Sequence, residues 1–203
     1  KRARLAGADL FGAELTGSDL TRADLAGAKL DRTVLIGVRL DHANLAGASL
    51  LRPSAFSTLG APASEAPSLV GADLSDAKIF GRFNRADLSG ANLRRASMAP
   101  FGKTGFIEHI WRTELLGARL EGADLTGADM THALLRYANL RGARMADVVL
   151  RNADLSGADL TGADLAGADL TDADLDGTIL TGVTGLDRAL GLAEARNAAK
   201  AVR

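Results

Sequence analysis

Leucine occupies every fifth position from Leu5 to Leu50, and the same phase returns from Leu115 to Leu180, with Met130 and Met145 in leucine's place. Alanine usually stands two places earlier and Asp or Asn often one place earlier, so that residues 153–175 read ADLSGADLTGADLAGADLTDADL. A period of five fits neither the 3-4-7 spacing of a helix nor the simple alternation of a strand. Let the leucine be position i. Positions i−2 and i are apolar and i−1 between them is polar, which is a short stretch of strand alternation with i−2 and i on one face. Positions i+1 and i+2 are both polar or small, and this extra outward residue breaks the alternation once per pentad. A chain that turns at each break in the same sense winds into a tube, with Leu and Ala inside and Asp, Thr, Gly and Arg outside. Successive windings then stack at about 4.8 Å and bond through their backbones. This ladder accounts for the use of Ala, Asp and Gly, which are poor strand residues on their own.

The pentads fall into three blocks, centred on Leu5 to Leu50, on Leu74, Ile79, Phe83, Leu88, Leu93 and Met98, and on Leu115 to Leu180. The step from Ile79 to Phe83 is one residue short. Position i−2 is Ala in twenty-three of these thirty pentads, and the exceptions (Ser18, Thr33, Val38, Gly81, Thr113, Val148 and Thr178) are small or β-branched. The tube is therefore narrow at that column.

Two segments interrupt the repeat. Residues 51–70 hold three of the four prolines and read as an external loop, although Leu69 already fits the returning phase. Residues 99–113 form a second loop with Phe101, Lys103, Phe106, His109 and Trp111. Aromatics beside charge suit a partner-binding segment; burial of the same rings against the tube is the competing reading. From Thr184 the pattern turns helical. Thr184-Gly185-Leu186-Asp187 has the form of a capping box, and Leu186, Leu190 and Ala193 share one helical face. A terminal α-helix over 184–203 would cover the open end of the tube.

These residues resemble the pentapeptide-repeat family, whose pattern is written A(D/N)LXX, over about 150 residues. The resemblance implies an all-β protein, a right-handed quadrilateral β-helix with four pentads per coil. On that basis residues 1–183 make seven to eight coils, about 36 Å of rod at the strand spacing, with two external loops and a short C-terminal capping α-helix. It also implies that such a helix can mediate a homodimer.

Charge and chemistry narrow the function. The chain of 203 residues has net charge −1 and no cysteine, so disulfides and cysteine metal sites are excluded. No apolar run approaches the length of a membrane span. Repeats begin at once after Lys1, which is not a methionine, so the sequence reads as part of a longer chain. A cytoplasmic setting is the expectation. Residues 152–181 carry seven Asp and no Lys or Arg, whereas 78–103 carry a net charge of +5. Asp154, Asp159, Asp164, Asp169 and Asp174 form a regular acidic array, with Asp154 set beneath Asp174 if four pentads close a coil. Position i−1 points outward on a convex surface, so these carboxylates read as solvated repeat consensus rather than a catalytic or metal site. The sequence Gly102-Lys103-Thr104 matches the end of a phosphate-binding loop, but Ser97 stands where the motif needs glycine. His42, His109 and His132 have no metal-ligand spacing. No catalytic residue, cofactor or metal is expected.

The expected function is a non-enzymatic scaffold that presents a surface to a protein partner. The alternative comes from the family resemblance: a DNA-mimicking protein that binds DNA gyrase, a type II topoisomerase, and confers quinolone resistance. Direct nucleic-acid binding is not expected on either reading, because the basic stretch lacks interleaved aromatics.

Overall fold

Backbone pairing shows how the pentads stack. The computed structural model describes residues 2–55, 62–100 and 112–202. Parallel bridges join Arg4 to Asp24, Asp9 to Lys29, Glu14 to Val34 and Asp19 to Arg39, each a step of twenty residues. Four pentads therefore close one coil, and the tube has four sides. The first side passes upward through Arg4, Asp24, Asn44, Asp73, Asn92, Asp124, Arg144, Asp164 and Thr184. That is nine stacked residues, where the sequence predicts seven to eight coils. The surplus has two sources. Pro53-Ser54-Ala55 and Pro67-Ser68-Leu69 line the wall inside the segment read as a loop, and residues after Val183 add a further winding.

A regular pentad makes three hydrogen bonds between coils. The Leu5 N–H donates to the Asp24 carbonyl, the Gly7 N–H to the Ala26 carbonyl, and the Asp24 N–H to the Ala3 carbonyl. A fourth bond, from the Ala8 N–H to the Leu5 carbonyl, closes the corner. The residue at i+2 in that corner is left-handed, with φ of 66° at Gly7 and 58° at Arg22. A type II turn demands positive φ at its third residue, which is why glycine is frequent there. Among the described residues two stretches pair as continuous strands: β1 (Ser49–Leu51) lies parallel to β2 (Lys78–Phe80).

The interior is filled by side chains. Leu125 and Leu160 are 0% exposed and Leu170 is 1% exposed. Three threonines replace alanine in the narrow column at full burial, and each hydroxyl is satisfied. Thr33 donates to the Leu30 carbonyl at 2.7 Å, Thr113 to the Met98 carbonyl at 2.7 Å, and Thr178 to the Leu155 carbonyl at 2.9 Å. This meets the rule that buried polar groups keep a partner. Among the described residues no helix is long and apolar enough to cross a membrane.

The α-helix expected over 184–203 is not formed in the described residues. The segment continues the tube with six residues per side instead of five. Asp169 bridges Leu190, Asp174 bridges Arg196, and Ile179 bridges Val202, with single 3-10 turns at Leu186–Arg188 and Ala198–Lys200. Val183, Ala189, Ala195 and Ala201 pack against the core at intervals of six. Backbone geometry excludes the helix: Gly185, Gly191 and Asn197 have φ of 72°, 68° and 57°. The homodimer expected through that helix thereby loses its element. A β-carbon on Gly185 would lie 2.5 Å from the Ala166 nitrogen. Gly185→Ala should destabilise the last coil by about 1–3 kcal/mol. Hydrogen exchange checks this: the Leu190 and Val202 amides should exchange faster, and the Leu125 amide at its former rate.

Candidate interaction surface

Among the described residues the side chains open to solvent lie on the outer columns, and i−1 shows its side chain on each side of the tube. Its carboxylates have a structural task. Asp154 Oδ1 accepts the Ser156 N–H at 3.1 Å and the Ser156 hydroxyl at 2.6 Å. Asp159 does the same for Thr161, and Asp169 for Thr171. Asp164 and Asp174 accept the N–H groups of Ala166 and Asp176. Each such bond satisfies a corner amide and fixes the start of the turn.

The second carboxylate oxygen faces the preceding or following coil, and there it meets arginine. Arg136 Nε donates to Asp154 and Arg151 Nε to Asp169, both at 2.5 Å, and Arg141 pairs with Asp159 at 3.0 Å. Arg196 approaches Asp174 to 3.9 Å. Asp164 instead accepts the Thr184 hydroxyl at 3.4 Å. The acidic array is thus not merely solvated, and arginines from outside residues 152–181 neutralise much of its charge. It is also wound around the tube rather than gathered. Asp154 and Asp174 stack on the third side as the sequence predicts, whereas Asp159, Asp164 and Asp169 occupy the other three. Among the described residues no group of three or more His, Asp or Glu is placed to hold a metal ion.

These bonds shift the carboxyl groups. Burial alone pushes Asp154, Asp159, Asp169 and Asp124 up. The Ser or Thr bonds and the facing arginines outweigh it and hold all four below the usual carboxylate range. A lowered folded value means stability that is complete above the ordinary Asp range and lost as pH falls through the folded values. The melting temperature should therefore hold between about pH 7 and 5 and decline once pH drops below about 4, near the unperturbed Asp value. Thermal melts monitored by circular dichroism check this; a flat profile to about pH 2 contradicts it.

The other candidate residues, Phe101, Lys103, Phe106, His109 and Trp111, lie outside the described residues. The structure adds surface features that the pattern did not single out. Tyr137 is 74% exposed at a left-handed corner, its ring over Gly157. Phe11 is exposed, with the Arg32 guanidinium 5.7 Å from its ring centre. An open hollow of about 1430 Å³ near the first coil is lined by Arg2, Arg4, Arg22, Asp24, His42 and Asn44.

A four-sided tube of leucine-centred pentads, closed by Asp-capped corners, defines a class, and comparison with known proteins agrees. The family model for pentapeptide repeats matches eight copies, over residues 1–27, 18–50, 68–99, 113–152 and 143–182. The chain belongs to the pentapeptide-repeat family and has its β-helix fold. Among solved structures it is similar to HetL, a pentapeptide-repeat protein involved in heterocyst differentiation regulation from the cyanobacterium Nostoc sp. strain PCC 7120. Identity is 30% over 99% of this chain and 87% of HetL, with a TM-score of 0.52. It is also similar to QnrB1, a plasmid-mediated fluoroquinolone resistance protein, at 18% identity, 88% of each chain and a TM-score of 0.60. The QnrB1 likeness bears on the fold alone. No curated protein sequence matches the chain.

Proposed function

We propose that the protein is a non-enzymatic scaffold whose outer surface binds a protein partner. One observation carries this reading. Inside, the columns hold little but Leu, Met, Ala and small β-branched residues at near-zero exposure, while the i−1 column outside ranges over Asp, Asn, Arg, Lys, Ser, Val, Leu and Ile. Among the described residues the interior columns are filled by side chains, and a rigid repeat wall holds varied side chains at fixed intervals. HetL, a family relative, is involved in regulating differentiation, a role in keeping with partner binding.

The DNA-mimic alternative receives less support. Imitation of a duplex needs a continuous field of unpaired negative charge, and four of the five candidate carboxylates have an arginine partner. The two readings separate in one pair of experiments. The purified protein, immobilised and cross-linked in extracts of its source organism, should retain a defined protein, and gyrase supercoiling should proceed unchanged with and without a quinolone. Protection of gyrase would favour the alternative, and retention of no protein would remove the scaffold reading.

A further inference from the structure

Arginine on this rod commonly meets a carboxylate of its own or a neighbouring coil, from Arg39 with Asp19 to Arg196 with Asp174. Arg2, Arg4 and Arg22 do not. Among the described residues none of the three side chains forms a hydrogen bond or an ion pair, and neither does that of His42. All four line the open hollow of about 1430 Å³. The hollow lies on the outer wall of the first side and spans three coils. It is not the mouth of the tube, since Leu5, Leu10, Leu15 and Leu20 take no part in its lining.

The register sets the arrangement. Arg2, Arg22 and His42 stand twenty residues apart and share the corner column that precedes the first side, at successive rises of about 4.8 Å. Arg4 opens the i−1 column beside them, followed by Asp24 and Asn44. Asp24 is the carboxylate of the lining, and its Oδ1 is engaged by the Ala26 N–H at 3.3 Å and by Asn44 Nδ2 at 3.1 Å. Three guanidiniums therefore share the hollow with one engaged carboxylate. Like charges stacked on adjacent strands repel. The backbone adds a cost, because this corner requires positive φ. Glycine fills the same column at each later corner from Gly71 to Gly182, whereas Arg22 and His42 hold φ of 58° and 55°. An anion seated between the guanidiniums relieves the repulsion.

We propose that this hollow binds a small oligophosphate, a chain of two or three linked phosphate groups laid along the column from Arg2 to His42. The site is separate from any protein-partner surface, so it stands or falls independently of the scaffold reading. Guanidinium forks give paired, charge-assisted bonds to phosphate oxygens. A single phosphate reaches one or two rungs of the column. A linked chain reaches all three, which together span about 10 Å. Apart from the imidazole, the remaining lining is three alanines and Asn44, with no large apolar side chain to hold a nucleoside base. The hollow therefore recognises the phosphate chain and not what is attached to it.

Equilibrium dialysis of the whole protein against tripolyphosphate, at low salt and without added metal, tests this. The wild type should bind tripolyphosphate, with adenosine triphosphate within about threefold in affinity and orthophosphate at least about tenfold weaker. R4Q/R22G should bind tripolyphosphate at least about tenfold more weakly. Glycine is what the same corner carries in later coils, and neither arginine has a side-chain bond to lose, so this variant should melt with the wild type in the absence of ligand. Tripolyphosphate should raise the melting temperature of the wild type and leave that of R4Q/R22G unchanged. Should R4Q/R22G not fold, R4Q alone supplies the comparison. R141Q removes a guanidinium paired with Asp159 several coils away and should stay within about twofold of wild type. No binding of tripolyphosphate by the wild type, or an equal loss in R141Q, overturns the proposal. So does orthophosphate binding as tightly as tripolyphosphate, which removes the ladder of rungs. Adenosine triphosphate binding more than about tenfold tighter than tripolyphosphate also overturns it, since the hollow would then hold the base.

Discussion

Leu125→Ala should lower the free energy of unfolding by about 3–5 kcal/mol, the upper part of the range for core leucines. Leu125 is fully buried, and its backbone is tied to the next coil through the Arg144 carbonyl. A tube gives a cavity little chance to collapse. The wall on either side of Leu125 is held by the ladder, so neighbouring leucines cannot slide into the space without breaking hydrogen bonds between coils. Urea unfolding checks the value. A loss below about 1 kcal/mol would mean that the wall yields, against the packing expected of a protein interior.

Ala143→Leu should cost about 3 kcal/mol for the opposite reason. Ala143 is 1% exposed in the narrow column, and its carbonyl accepts the Asp164 N–H at 3.0 Å. Coils about 4.8 Å apart leave no depth for a branched side chain there. The added volume must either tilt one corner or separate two rungs. Ala146→Leu, on the outward part of the next corner, should change stability by no more than about 0.5 kcal/mol. Equal losses at the two positions would remove the distinction between inner and outer columns.

Much of this architecture was legible in the residues because a period of five has few physical solutions. Leucine every fifth residue with alanine two before it dictates which side chains go inside, and Leu125, Leu160 and Leu170 are there. The task of the aspartates was less legible. Ser or Thr follows at i+1 in ADLSG and ADLTG, and that pairing marks a capped corner, but a carboxylate on a convex surface reads first as solvated. Arginine partners such as Arg136 stand eighteen residues before their aspartates, a spacing that has meaning only once four pentads per coil are known.

The C-terminal segment misled for a definite reason. Leu186, Leu190 and Ala193 satisfy helical spacing, yet Leu190 is 59% exposed. The informative signal was alanine at 189, 195 and 201, a period of six that extends the narrow column by one residue per side. Glycine at 185 and 191 supplies the left-handed corners that this longer step requires. The contributions of Phe101, Phe106 and Trp111 lie outside the described residues.

The register of twenty residues per coil supports the stacking and the charge pairing alike. It is most directly tested with paired cysteines, since the chain has none of its own. Lys29 and Ser49 are bridged on the second side. K29C/S49C, treated with a bimane reagent that fluoresces only on joining two neighbouring thiols, should react strongly. K29C/N44C and K29C/S54C, with separations of fifteen and twenty-five residues, should stay dark. Fluorescence from either of those pairs in place of the first would mean three or five pentads per turn, and the four-sided tube would be contradicted.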